Sequence, residues 1–264
     1  MNRTVKIFDK VKKEKPLIHH ITNWVTIYDC ANIVRATGAL PVMAHSPDEV
    51  ADMVAISSAL VLNIGTLTNS LVDAMKLAGK KANEKHIPVV LDAVGVGATR
   101  YRNEIIRELL KEIEVDVLKG NASEIASIAG LETFTKGVES TEVEVDLRVL
   151  AKKLAKEKNF TVVITGKEDI ISNKDTVYVC KNGHYMMGNI VGTGCMAASM
   201  IGAFSAVEKD YSVASATALV LFGIAGELAA KKTKGPGSFK VCFYDALYNL
   251  SAKEIEDLEQ LEKM

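Results

Sequence analysis

Four short runs of apolar, largely β-branched residues constrain the fold of this chain more than any other feature. They are residues 59–66 (ALVLNIGT), 87–95 (IPVVLDAVG), 115–121 (VDVLKGN) and 160–166 (FTVVITG). Each is nearly continuous in apolarity and closes on glycine or a polar residue. A strand with one wet face alternates in character, whereas a run apolar on both faces is covered on both, as in a parallel sheet. Residues 38–43 (GALPVM) form a weaker run of the same kind. Segments of helical period lie between them. In 68–85, Leu71, Met75 and Ala78 share a face with lysines opposite, and in 101–113 Ile105, Leu109 and Ile113 recur at four-residue spacing. Leu147, Leu150 and Leu154 recur at spacings of three and four in 145–159. Strand and helix alternate, which predicts βαβ units and an α/β fold with a mostly parallel central sheet.

The pattern then changes. Residues 175–187 (DTVYVCKNGHYMM) predict two strands hinged on Lys181-Asn182-Gly183, because Asn-Gly favours a tight hairpin turn. Segments 195–207, 212–232 and 238–264 all read as helical. No repeat or linker divides the chain, so residues 1–264 are expected to form one domain.

Composition narrows the partners. A net charge of −1 gives no electrostatic reason to expect nucleic acid or an anionic membrane. Residues 1–11 have no apolar core of the kind a signal peptide carries. Residues 212–230 are rich in alanine and glycine and contain Glu227, which predicts a buried helix and not a span. A cytoplasmic location is the expectation. Cys30, Cys180, Cys195 and Cys242 show no zinc spacing, and a reducing compartment disfavours disulfides.

In doubly wound sheets, ligands gather beyond the carboxyl ends of the strands. Just past the four runs lie Gly65-Thr66, DAVGVGATR from Asp92, KGNASE from Lys119, and Thr165-Gly166-Lys167. Asp92 and Glu124 beside a glycine-rich loop suit an oxygen-lined magnesium site. Asn121 and Glu124 also have capping-box spacing, and the two roles are compatible. Cys195 follows the turn Gly192-Thr193-Gly194 at the start of a helix. Glycine backbone and a helix N-terminus together favour an anion, and a thiol there is expected to have its pKa lowered. The stretch GTGCMA matches a dinucleotide fingerprint, but helices follow it where a strand is required, and no GxxxxGK[ST] motif occurs. His19 and His20 are adjacent in an extended segment and point to opposite sides, so they cannot clamp one metal. Ser46 with Pro47 predicts a helix start, and Met43 lies just before it.

The segments HHITNWVT, GALPVMAHSPDEV, LNIGTLT, PVVLDAVGVGAT, KGNASEI, VVITGKED and GNIVGTGCMAAS, in this order, closely resemble the hydroxyethylthiazole kinase family of the ribokinase-like superfamily. The closing GPGSFKVCFYDALYNL fits the same family, so the likeness spans nearly the whole chain. It implies a ribokinase-like three-layer α/β/α fold and ATP-dependent phosphorylation of the primary alcohol of 4-methyl-5-(2-hydroxyethyl)thiazole. It also implies Mg2+ and a homotrimer with sites between subunits. By the same resemblance Met43, Asn23 and Val25 line the thiazole pocket, and Asp92 and Glu124 belong to the magnesium and phosphate region. Lys119 and Thr165 contact ATP, and Gly192 and Gly194 shape the anion hole. Lys119 stands where such enzymes often carry arginine, so the charge is kept and the bidentate fork is lost. Cys195 stands where most of the superfamily has an aspartate base; here it is expected to position the hydroxyl and accept its proton late. The readings left open are a related kinase for hydroxymethylpyrimidine and a non-catalytic sensor of thiazole or nucleotide.

Overall fold

A computed structural model of the chain describes residues 2–131 and 146–264. Helix α1 (Arg3–Glu14) leads to β1 (Leu17–Ile21), α2 (Ile27–Ala36), β2 (Leu40–Val42), α3 (Val50–Ile56) and β3 (Ala59–Asn63). Next come α4 (Asn69–Lys85), β4 (Val89–Asp92), α5 (Arg100–Glu112), β5 (Val117–Asn121) and α6 (Ala122–Ile128). Beyond them lie α7 (Leu147–Lys158), β6 (Thr161–Thr165), β7 (Asp169–Ser172), β8 (Val177–Cys180) and a 3-10 turn, Tyr185–Asn189. The chain continues through α8 (Thr193–Ser205), α9 (Tyr211–Lys232), α10 (Pro236–Asn249), α11 (Ala252–Leu258) and β9 (Leu261–Lys263).

The strands form one sheet in the order β2-β1-β3-β4-β5-β6-β7-β8-β9. Neighbours from β2 to β6 are parallel, and β7, β8 and β9 add on antiparallel. Strand order reverses between β1 and β3, which opens a crevice at their carboxyl ends. Alternation of side chains then separates two cores. Val61, Val90, Val117, Val163 and Ile171 face the layer of α1, α2 and α8–α10. Leu60, Leu62, Leu91, Leu118 and Val162 face α3–α5 and α7. This is the three-layer α/β/α arrangement, and all four apolar runs are strands within it. Helix α9 is long and apolar enough to cross a membrane by length and composition, but 83% of its 18-residue apolar window is buried inside the protein, and it serves as a core helix.

Three local expectations need correction. The β7–β8 connection is not at Asn182-Gly183. It lies at Asn173–Thr176, where the Asn173 side chain accepts from the N–H groups of Asp175 and Thr176 at 2.9 and 2.7 Å. Asn182 is instead buried, donating to the Leu258 carbonyl at 2.9 Å and accepting from the Gln260 N–H at 2.8 Å. Those bonds steer the chain end out of helix, and β9 pairs with β8, covering a sheet edge. Ser46 closes a separate turn through its carbonyl, and α3 begins only at Val50.

Helix α8 lies close on the sheet because Gly202 has no side chain. A Cβ there would stand 2.4 Å from Val61 Cγ2. Gly202→Val forces α8 off β3 and costs about 1–3 kcal/mol by overpacking. At roughly 2–4 °C per kcal/mol for a chain of this size, differential scanning calorimetry should show a fall in Tm of several degrees. An unchanged Tm would mean that α8 is not held this tightly.

Candidate active site

Alternation along each strand carries Asn63, Asp92, Lys119 and Thr165 to the carboxyl ends on the side of α8, in the same phase as Val61, Val90, Val117 and Val163. Register sets Asn63 beside Asp92 and Asp92 beside Lys119. Lys119 Nζ lies 3.0 Å from Asp92 Oδ1, and both side chains are buried. Asn63 Nδ2 donates to the other oxygen, Asp92 Oδ2, at 2.7 Å. The Asn63 carbonyl oxygen accepts from Gly65 N–H at 3.0 Å and from Asn23 Nδ2 at 2.9 Å. Asn23 also donates to Cys195 Sγ at 3.3 Å. Its own carbonyl oxygen accepts from the N–H groups of Val25 and Thr26. Backbone donors therefore fix which way both amides face. The result is one directed chain from Cys195 through Asn23 and Asn63 to Asp92 and Lys119.

The opposite wall is the first turn of α8. Gly192 at its start has φ +95°, and a Cβ there would meet Thr26 Cγ2 at 2.6 Å. No side chain caps this turn, so its first N–H groups are left without intrahelical partners. A Cβ on Gly194 would stand 3.0 Å from Lys119 Nζ. The ammonium thus faces the glycine turn directly, and an anion seated there meets a helix N-terminus and a lysine together. Burial alone would lower the Lys119 pKa, but Asp92, Glu124 and Cys195 outweigh it and raise it, so the lysine is held charged.

Cys195 is the third residue of α8, as expected, but its pKa is not lowered. Burial and the Asp92 charge push the thiol up, against the opposing pull of Lys119. Desolvation and a carboxylate neighbour outweigh the Lys119 charge and the hydrogen bonds from Thr26 and Asn63. Cys30 and Cys180 are buried like core residues, and all four cysteines are free.

Glu124 completes the capping box of α6 and reaches further. One carboxylate oxygen accepts from Gly95 N–H at 2.7 Å, and the other from Asn121 N–H at 2.7 Å. Burial raises its pKa, with Asp92 adding to the effect and Lys119 opposing it. Two carboxylates face one lysine in a buried site, with the Arg102 guanidinium also within reach of the Glu124 charge. Among the described residues no three His, Cys, Asp or Glu side chains form a cage for a metal. This donor set fits magnesium, which takes one or two carboxylates and completes its shell with phosphate and water.

A cavity of about 660 Å³ opens beside the glycine turn. Thr165 and Gly194 line it, with Gly166, Asp169, Met187 and Phe222 among the others. Met43 and Val25 lie outside it, on the loops after β2 and β1. Those loops touch through Trp24 and His45, whose rings meet edge-on with centroids 4.7 Å apart. His19 Nε2 bonds to the Ala44 carbonyl at 2.7 Å and anchors the Met43 loop. His20 is buried on the other face of β1, and desolvation depresses its pKa to about 4. The two histidines do diverge. Sequence reading missed Asn63 and Asp169. A signal for Asn63 was present: LVLN, VVLD and VLK end in register, which aligns three polar side chains.

Asn63 supports two neighbours at once. Asn63→Leu leaves Asp92 short of a donor and Asn23 short of an acceptor, costing about 1–3 kcal/mol for a buried group left unsatisfied. Urea unfolding checks this, and a change under 0.5 kcal/mol would be contrary to the chain of bonds described. Asp169 supplies a pH test. Burial raises its pKa from 3.8 to about 7, against the Gly166 N–H bond and Lys119. A carboxyl raised on folding contributes stability that is complete below its unfolded pKa and is lost as pH climbs toward its folded one. Asp169→Asn removes that loss, so its Tm relative to wild type should rise between pH 5 and pH 8. A difference independent of pH would refute the raised pKa.

Comparison with known proteins identifies the family. The model of the hydroxyethylthiazole kinase family matches residues 8–253. A protein named hydroxyethylthiazole kinase from Methanosarcina mazei is 59% identical over 254 residues, covering 96% of this chain and 97% of that one. The solved structure of a hydroxyethylthiazole kinase protein from Pyrococcus horikoshii superposes with a TM-score of 0.91 at 38% identity, covering all of both chains. A ribokinase-like superfamily protein from Enterococcus faecalis shares the fold alone, with a TM-score of 0.65 at 12% identity over 92% of this chain and 93% of that one. With its directed polar chain, its glycine turn and these relatives, the chain belongs to the hydroxyethylthiazole kinase family.

Proposed function

We propose that this protein transfers the γ-phosphoryl group of ATP to the primary alcohol of 4-methyl-5-(2-hydroxyethyl)thiazole. The observation that carries the reading is the Lys119 ammonium set against Gly194, at an uncapped helix N-terminus that opens on the cavity. That is a seat for a phosphoryl group with substrate on one side and nucleotide on the other. Thr165 and Lys119 contact the phosphates of ATP. Met43, Asn23 and Val25 receive the thiazole, the Met43 thioether being a soft surface for a heteroaromatic ring.

Phosphoryl transfer passes through a loose transition state, so placement and charge stabilisation carry most of the catalysis. The N–H groups from Gly192 to Cys195 and the Lys119 ammonium receive the charge on the transferring group. Asp92 and Glu124 would hold Mg2+, which supplies charge neutralisation to the phosphates. The alcohol oxygen bonds to the γ-phosphorus as the bond to the ADP oxygen breaks. The hydroxyl proton leaves late, to an oxygen of the new phosphate. Because its thiol is already protonated, Cys195 acts by holding the hydroxyl and not by removing its proton. Trp24, Val25 and Tyr28 expose 50%, 66% and 76% of their surfaces on the loop after β1 and the start of α2, which supports a subunit contact there, as the homotrimer reading requires. One domain spanning the chain and working in the cytoplasm completes the reading.

Purified protein with ATP, Mg2+ and hydroxyethylthiazole should yield the thiazole phosphate by mass spectrometry, and little without Mg2+. No product from folded, nucleotide-binding protein would overturn the assignment. Loss of a general base costs about 10²–10⁴-fold. Cys195→Ala should therefore lower kcat by less than about tenfold, and a hundredfold loss would restore the base role.

A further inference from the structure

The large cavity contains an acceptor to which the steps above give no role. Asp169 opens β7 in the same phase as Ile171, on the face covered by α8 and α9. One of its oxygens, Oδ1, accepts from Gly166 N–H at 3.0 Å. Among the described residues no donor meets Oδ2, and the side chain lines the cavity. Ionised, the carboxylate only accepts, and Oδ2 is open to the cavity to take a donor from the ligand.

Its place in the sheet says which part of the ligand. The order β4-β5-β6-β7-β8 sets Asp92, Lys119, Thr165 and Asp169 on successive strands, followed by the 181–185 segment after β8. Lys119 marks the phosphate end. Leu219, Phe222 and Met187 give the same cavity an apolar wall, suited to a base. Asp169 lies two strands from Lys119, about 10 Å at the usual strand spacing. That is the reach from the terminal phosphate of an extended triphosphate to its sugar. Carboxylates that meet ribose hydroxyls in nucleotide sites accept in this way.

We propose that Asp169 is the specificity-determining residue for the ribose of the nucleotide, with Oδ2 accepting from the sugar hydroxyls while Gly166 N–H holds Oδ1. The inference rests on the kinase reading above. It names a group that selects ribonucleotides over deoxyribonucleotides before any chemistry occurs.

Calorimetric titration tests it with ATP, 2′-deoxy-ATP, 3′-deoxy-ATP and inosine triphosphate, on wild type, Asp169→Asn and Asp169→Ala. Wild type should bind ATP about tenfold more tightly than at least one deoxy analogue, the size expected for one charge-assisted hydrogen bond. Asp169→Ala should weaken ATP about tenfold and bring that ratio close to one. Asp169→Asn keeps an oxygen for Gly166 and so guards against misfolding; it should show an intermediate ratio. Deoxy ratios unchanged in both variants would overturn the proposal. So would a collapse of the ATP to inosine triphosphate ratio with the deoxy ratios intact, since the carboxylate would then read the base. Wild-type protein that binds no ATP would overturn the kinase reading and this inference together, whereas intact ATP binding with fixed ratios overturns this inference alone.

Discussion

Everything at the working end of this protein depends on the buried pair of Lys119 and Asp92. Two charges 3.0 Å apart, each almost without solvent, are tolerated only when their remaining hydrogen-bonding capacity is met. Asn63 meets part of it for Asp92, and Asn63 is held in turn by Gly65 and Asn23. The demand of one ion pair for partners thus travels along the ends of β5, β4 and β3 to the loop after β1. It orders the loop that carries Asn23 and Val25. Breaking a buried pair by removing one partner is far costlier than never having built it, so the pair fixes the site as a rigid unit.

That unit needs α8 close at hand, and small residues provide the approach. Gly202 brings the helix down on Val61, Gly192 lets its first turn pass Thr26, and Gly194 leaves room for the lysine head. The helix N-terminus then points at the strand ends and not over them. The longer helix α9, apolar on nearly all sides, packs beside α8 and against β6, β7 and β8. Its burial against the sheet, α8 and α10 explains a sequence that otherwise resembles a span. Packing in one layer therefore sets electrostatics in the next.

How much of this was legible in the sequence follows the range of the interactions. The strands β3 to β6 were plain because burial on both faces leaves continuous apolar runs. The capping box at Asn121 and Glu124 was plain because it is closed within four residues. The β7–β8 turn was misplaced because Asn182-Gly183 has the composition of a hairpin, while its actual partners, Glu227, Leu258 and Gln260, are far away in sequence. Strand β9 was read as helix because charged helix formers give no sign of an edge waiting to be paired. Asn63 was passed over because a single asparagine closing a strand is unremarkable until its register with Asp92 is known.

The protonated state of Cys195 is the last consequence of the same arrangement. Asp92 and Glu124 already place two negative groups beside one lysine. A third carboxylate at position 195, where most of the superfamily carries aspartate, would add one more, unbalanced unless a further cation were present. A thiol adds no charge when it is protonated, and burial together with Asp92 keeps it so. It fills the space and presents a sulfur to Asn23 as acceptor. It leaves the resting site closer to neutral than a carboxylate would. What is lost is a strong base, and in a loose transition state with a late proton that loss is small. The electrostatic balance of the strand ends thus makes cysteine an acceptable residue behind the glycine turn.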